Sequence, residues 1–175
     1  MTDWIRGTIL ALVGAVAPSG VFADNEVLGT FQVAMNGERR AFFSVEAYGE
    51  PSSTFNMAGR LTYVTLEGYS DSGNPTGSEV ITIEFSIDAD NSAPEQKSLP
   101  AEITYHPTAF PIFPLYSSDD GGAKITVSEF RIEGDVAFIK AEFDASLTRV
   151  EGPAKKNLSD KMSATGLIEV EARRQ

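Results

Sequence analysis

His106 is the sole histidine of the 175-residue chain, and its ordinary titration falls near neutrality, so proton-transfer chemistry would start there. It sits between Tyr105 and Pro107. A serine hydrolase built on it needs a nucleophile on a G-x-S-x-G turn, and the nearest stretch, Gly68-Tyr69-Ser70-Asp71-Ser72, lacks the closing glycine. Glycoside hydrolysis asks instead for two carboxyl groups, one of them poorly solvated. Glu84, Glu142, Asp144, Glu169 and Glu171 alternate with apolar residues and read as solvent-facing. Glu129 shares a face with Ile125 and Val127, so it either points inward or marks the level at which the hairpin changes face. Calcium would suit an acidic chain, yet Asp88, Asp90 and Asn91, Asp71 with Asn74, and Asp119 with Asp120 all miss the twelve-residue ligand spacing. They read as turn residues. No catalytic residue, metal or cofactor is therefore assigned.

Two stretches read as binding surfaces. Tyr105, His106, Phe110, Phe113 and Tyr116 lie among Pro107, Pro111 and Pro114, which gives aromatic area on a stiff backbone for a ligand or partner. The other reading, and the favoured one, is a lid that plugs one end of the core with Phe110, Ile112, Phe113 and Leu115. Phe130, Ile132, Val136 and Phe138 form the apolar tip of a hairpin, either curled round a corner of the fold or left for a partner. The corner is the favoured reading.

Composition removes whole classes of function. The absence of cysteine excludes disulfides, thiol nucleophiles, thiolate zinc sites and a lipidated N-terminal cysteine. Twenty-five acidic residues against 14 basic ones leave a net charge of −11, unsuited to nucleic acid or anionic lipid. With 42% apolar and 22% charged residues the chain is expected to fold. Residues 1–23 read as a secretory signal peptide. Arg6 precedes an apolar run from Gly7 to Ala17, Pro18 to Gly20 break it, and cleavage is expected after Ala23. That run is too short for a bilayer, which needs about 20 residues. Residues 24–175 are then expected to form one β-domain, exported to the bacterial periplasm or secreted, with no membrane span and no lipid anchor.

Most segments after Asp24 alternate with period two and end in Gly, Asn, Asp or Pro, as half-buried antiparallel strands do. About eight strands are expected in an antiparallel β-sandwich, or alternatively a closed β-barrel. Asn36-Gly37 resembles a two-residue hairpin turn, but a three-residue loop including Glu38 matches the apolar faces better by pairing Val33 with Ala41 and Phe31 with Phe43. From Leu61 to Gly68 apolar residues occupy both faces, which implies a strand covered on both sides or a bulge. Ile81, Ile83, Phe85 and Ile87 face the core. A turn of Glu133, Gly134 and Asp135 pairs Ile132 with Val136 and Phe130 with Phe138 without a bulge. Pro153 to Met162 is expected as a short helix, and Ala164 to Ala172 as the last strand. The function read from this is a non-enzymatic binding or envelope-associated module for an unknown protein or small molecule. The alternatives are a β-barrel carrier of a small hydrophobic or carbohydrate ligand, and a carboxylate-based hydrolase.

Overall fold

The structure, a computed structural model, describes residues 25–88, 97–108 and 112–175, without the side chains of 97 and 119–121. Residues 1–24, over which a signal peptide is expected, and Asp90, Asn91 and Phe110 lie outside the described residues. The rest is nearly all β. The ten strands are β1 (Glu26–Met35), β2 (Glu38–Ala47), β3 (Glu50–Pro51), β4 (Thr54–Ala58), β5 (Leu61–Tyr69), β6 (Val80–Asp88), β7 (Lys97–His106), β8 (Leu115–Glu133), β9 (Val136–Gly152) and β10 (Lys155–Arg174). No helix among the described residues is long and apolar enough to cross a membrane.

All ten strands belong to one sheet. β5 to β10 form an antiparallel meander, β10 also pairs with β1, and β1 pairs with β2. The pairings return on themselves through β4, which pairs with both β10 and β5, and through one β2–β5 bridge between Phe43 and Tyr69. Where β2 and β5 part, serine hydroxyls replace the missing ladder: Val45 N–H donates to Ser52 Oγ (3.0 Å), Ser52 Oγ donates to the Glu67 carbonyl (2.9 Å), and Glu67 N–H donates to Ser53 Oγ (3.2 Å). At the other end the chain's last residues hold the β8–β9 hairpin. Arg174 stacks over Phe55, its backbone N–H donates to the Asp135 carbonyl (2.9 Å), and its Nη2 donates to the Gly134 carbonyl (3.1 Å).

The core follows the period-two pattern. Ile81, Ile83, Phe85 and Ile87 of β6 are buried, as are Ala164, Ile168, Val170 and Ala172 of β10. Phe31, Phe42, Phe55 and Leu66 are fully enclosed among them. The outward faces carry Glu84, Glu102, Lys124, Glu142, Asp144 and Glu169, the reverse of the apolar outer band that a bilayer-crossing sheet needs.

Several local expectations are corrected. The β1–β2 turn has two residues, Asn36 (φ 49°) and Gly37 (φ 85°), the pair of positive angles that favours Asn-Gly. Val33 consequently pairs with Arg40 and Phe31 with Phe42. Facing of apolar residues misleads here because the inward position two residues before Phe42 is filled by the Arg40 guanidinium with its own partners, while β1 bulges at Leu28 and Val45 is buried. The β8–β9 tip also turns on two residues, Gly134 and Asp135, so Ile132 pairs with Ala137 and Phe130 with Ile139. A bulge at Ser128 absorbs the shift, and below it Val127 pairs with Ala141 and Ile125 with Phe143 as expected. Glu129 sits at that bulge, partly exposed, 3.9 Å from both Arg131 and Lys140 rather than in the core. The helix expected over Pro153 to Met162 is instead a turn at Pro153-Ala154 followed by the start of β10, because pairing with β9 satisfies this backbone. The stretch of β5 with apolar residues on both faces contains no bulge in its pairing with β6, and its outward Leu61 and Tyr63 remain uncovered.

One polar atom is out of place in this core. Thr62 Oγ1 is buried without a hydrogen-bond partner among the described residues. An unsatisfied buried hydroxyl costs about 1–3 kcal/mol, so Thr62→Val should raise stability by about 1 kcal/mol. The check is a higher urea midpoint with an unchanged denaturant slope. A lowered midpoint would show that the hydroxyl has a role in the fold.

Candidate functional site

Tyr105 and Tyr116, at the two ends of the proline and aromatic segment, are brought together by strand pairing. Tyr105 and Tyr116 face each other across β7 and β8, with ring centroids 6.3 Å apart, and Phe42 meets Tyr105 edge-on at 6.3 Å. Tyr105 is only 4% exposed. Its hydroxyl accepts from Arg40 Nη1 at 3.0 Å, and the same nitrogen donates to the Glu79 carboxylate at 3.0 Å, while Nη2 donates to Glu38 at 3.0 Å. Burial pushes the Tyr105 hydroxyl up to about 12, with the nearby Glu79 charge adding to it and the Arg40 charge opposing. Tyr116 Oη donates to Asp160 at 3.4 Å, and Arg149 Nη1 donates to the same carboxylate at 3.2 Å. Both clusters tie strands together and leave each charge with a partner of opposite sign.

His106 lies on the outer side of β7, half-buried, in one cross-strand row with Val80 and Tyr69. Burial holds its imidazole below the ordinary range, with the Glu67 charge opposing. Glu67 accepts a hydrogen bond from the Tyr69 hydroxyl. Phe113 is half-buried. At the β8–β9 tip, Phe130 and Ile132 are half-buried and pack on the core, Val136 is half-buried, and Phe138 lies 4.5 Å beneath the Arg131 guanidinium. Among the described residues no three His, Asp or Glu side chains converge as a metal ion would require. Asp71 caps its own turn by accepting from Gly73 N–H at 2.9 Å.

Open space lies on the outer faces. Across β5 to β8 runs a groove of about 920 Å³ lined by Tyr63, Thr65, Glu84, Ser86, Glu102 and Ser117, with Lys156 of β10 at its margin. Tyr63 is paired with Ser86, Thr65 with Glu84, and Glu84 with Glu102, so these side chains share one face. Thr65 Oγ1 donates to Glu84 at 3.4 Å. Tyr63 is 51% exposed and Leu61 beside it on the same strand face is 40% exposed. Glu84 and Glu102 are both exposed, so neither has the poorly solvated setting that a general acid needs. A second groove of about 730 Å³ crosses β1, β2, β8, β9 and β10 past Arg39, Gln32, Lys124, Glu142, Asp144 and Leu167. Its one aromatic residue, Phe143, is buried.

None of the aromatic segment's described residues borders the β5–β8 groove. The sign of this surface in the sequence is β5 itself, whose apolar residues occur on both faces while nothing in the described chain covers the second. No protein family model matches this chain, and no curated protein or solved structure is significantly similar to it.

Proposed function

We propose that this chain is an exported, non-enzymatic β-protein that acts by binding, and that it binds through the outer face of β5 to β8. The observation that carries the reading is the uncovered pair Leu61 and Tyr63 at a broad groove. Both belong to a strand whose opposite face is already packed in the core, so the sheet fixes them in place before any ligand arrives. A preset aromatic surface loses little entropy on binding. Export rests on Arg6, the apolar run from Gly7 to Ala17 and Ala23, with cleavage after Ala23 releasing a periplasmic or secreted chain. Strand pairing then begins at Glu26.

A carrier would need enclosed volume, and the described interior is occupied by Phe31, Phe42, Phe55, Leu66 and Ile103. The hydrolase reading loses its motive with the solvation of Glu84 and Glu102. The binding reading is tested with a photo-crosslinking residue at Thr65 in cells that make the protein. The expected result is a discrete crosslinked species that disappears with Tyr63→Ser and does not form from the same residue at Thr30. No Tyr63-dependent species would overturn the reading.

A further inference from the structure

We infer that the β5–β8 groove takes a neutral oligosaccharide, stacked on Tyr63 and hydrogen-bonded to Glu84 and Glu102. The inference rests on the binding reading above and names its ligand class. Three features point to it. Tyr63 presents half of its surface from a strand pinned between β4 and β6, so its ring is a fixed apolar plate. The C–H face of a sugar ring matches such a plate, and Tyr carries few rotatable bonds to freeze.

The second feature is the direct cross-strand pairing of Glu84 with Glu102. Two like charges opposite each other disfavour the sheet. Ionised carboxylates only accept hydrogen bonds, so Glu84, one oxygen of which already accepts from Thr65, and Glu102 line the groove with acceptors. A ligand bridging them must donate repeatedly, as vicinal hydroxyls do. Thr65 and Ser86 add hydroxyls that both donate and accept.

The third feature is charge and reach. The two carboxylates and the net charge of −11 outweigh Lys156 at the margin and disfavour uronates, sulfated sugars and phosphates. Four strands spaced about 4.8 Å apart make the groove about 14 Å wide, room for several sugar rings in a row. A compact metabolite would leave most of it empty.

The test is isothermal titration of the purified protein with cellohexaose, chitohexaose, maltohexaose and mannohexaose, and with hexagalacturonate as the anionic comparison. At least one neutral hexamer is expected to bind with a dissociation constant below about 1 mM, and hexagalacturonate to bind at least tenfold more weakly. Tyr63→Ala should weaken the neutral ligand at least tenfold while Tyr63→Phe retains it, and Glu102→Gln should also weaken it. Unchanged urea midpoints would exclude unfolding as the cause. If no neutral hexamer binds, or if binding is indifferent to Tyr63 and Glu102, the saccharide inference is overturned. Should the Tyr63-dependent crosslink at Thr65 persist in that case, the binding reading stands with another ligand class. If the crosslink is absent as well, both fall.

Discussion

Gly29→Ala is expected to cost the fold about 3 kcal/mol or more, the top of the range for overpacking, because the new atom meets backbone rather than a movable side chain. A Cβ at residue 29 would lie 2.4 Å from the Glu169 carbonyl oxygen and 2.5 Å from Val170 Cα. Gly29 pairs with Val170 and adjoins the bulge at Leu28, so β1 is pressed against β10 where β2 shifts register. Relief requires β1 and β10 to separate, which would also loosen Phe31, two residues on and fully buried. For a chain of this size the loss corresponds to a fall of about 6–12 °C in melting temperature. Gly152→Ala supplies the comparison, since nothing lies within 4 Å of its added Cβ. Urea unfolding of both variants checks the expectation. Equal midpoints would show that the strands do not approach this closely.

Alkaline pH is expected to unfold the protein through Tyr105. Its hydroxyl holds its proton up to about 12 in the fold against an ordinary value of 10.0, with burial as the main cause. The unfolded chain therefore releases this proton first as pH rises, and the folded state binds more protons between the two values. The stabilisation is complete below pH 10 and is lost as pH climbs through about 12. A difference of about two units amounts to about 3 kcal/mol. Tyr69, also raised by burial and by its bond to Glu67, acts in the same direction. Urea midpoints measured from pH 9 to 11.5 should fall steeply in the parent and less steeply in Tyr105→Phe. That variant has a lower starting stability, because Arg40 Nη1 then keeps only Glu79. Parallel curves would show that Tyr105 titrates alike in the folded and unfolded chain.

The legible parts of the fold are those where one strand face is uniformly apolar. In β6, Ile81, Ile83, Phe85 and Ile87 could only face a core, and in β10 Ala164, Ile168 and Val170 behave likewise. The β1–β2 register was illegible for a definite reason. Arg40 faces inward because Glu79 and Tyr105, 39 and 65 residues further along the chain, supply its partners. The bulge at Ser128 was hidden because a two-residue turn with a bulge and a three-residue turn without one give the same pairing lower in the hairpin. Pro153 to Met162 carried a helical spacing that pairing with β9 overrode.

The candidate site divides in the same way. Tyr105, His106, Phe113 and Tyr116 stand out as a run of aromatic residues, yet Tyr105 bonds to Arg40, Tyr116 to Asp160, and His106 lies in the field of Glu67. The groove residues Tyr63, Glu84, Ser86 and Glu102 come from three strands and look locally like an ordinary solvated face. Composition and periodicity by themselves determined that the chain is β, that it contains no thiol chemistry, and which residues of β6 and β10 are buried. These are properties of single residues and their immediate spacing. Tertiary structure alone decided that Arg40 turns inward, that the Leu61 and Tyr63 face of β5 stays open, and that Glu84 stands opposite Glu102. Each depends on which distant strand lies alongside, and the two-residue period is the same whichever partner that is.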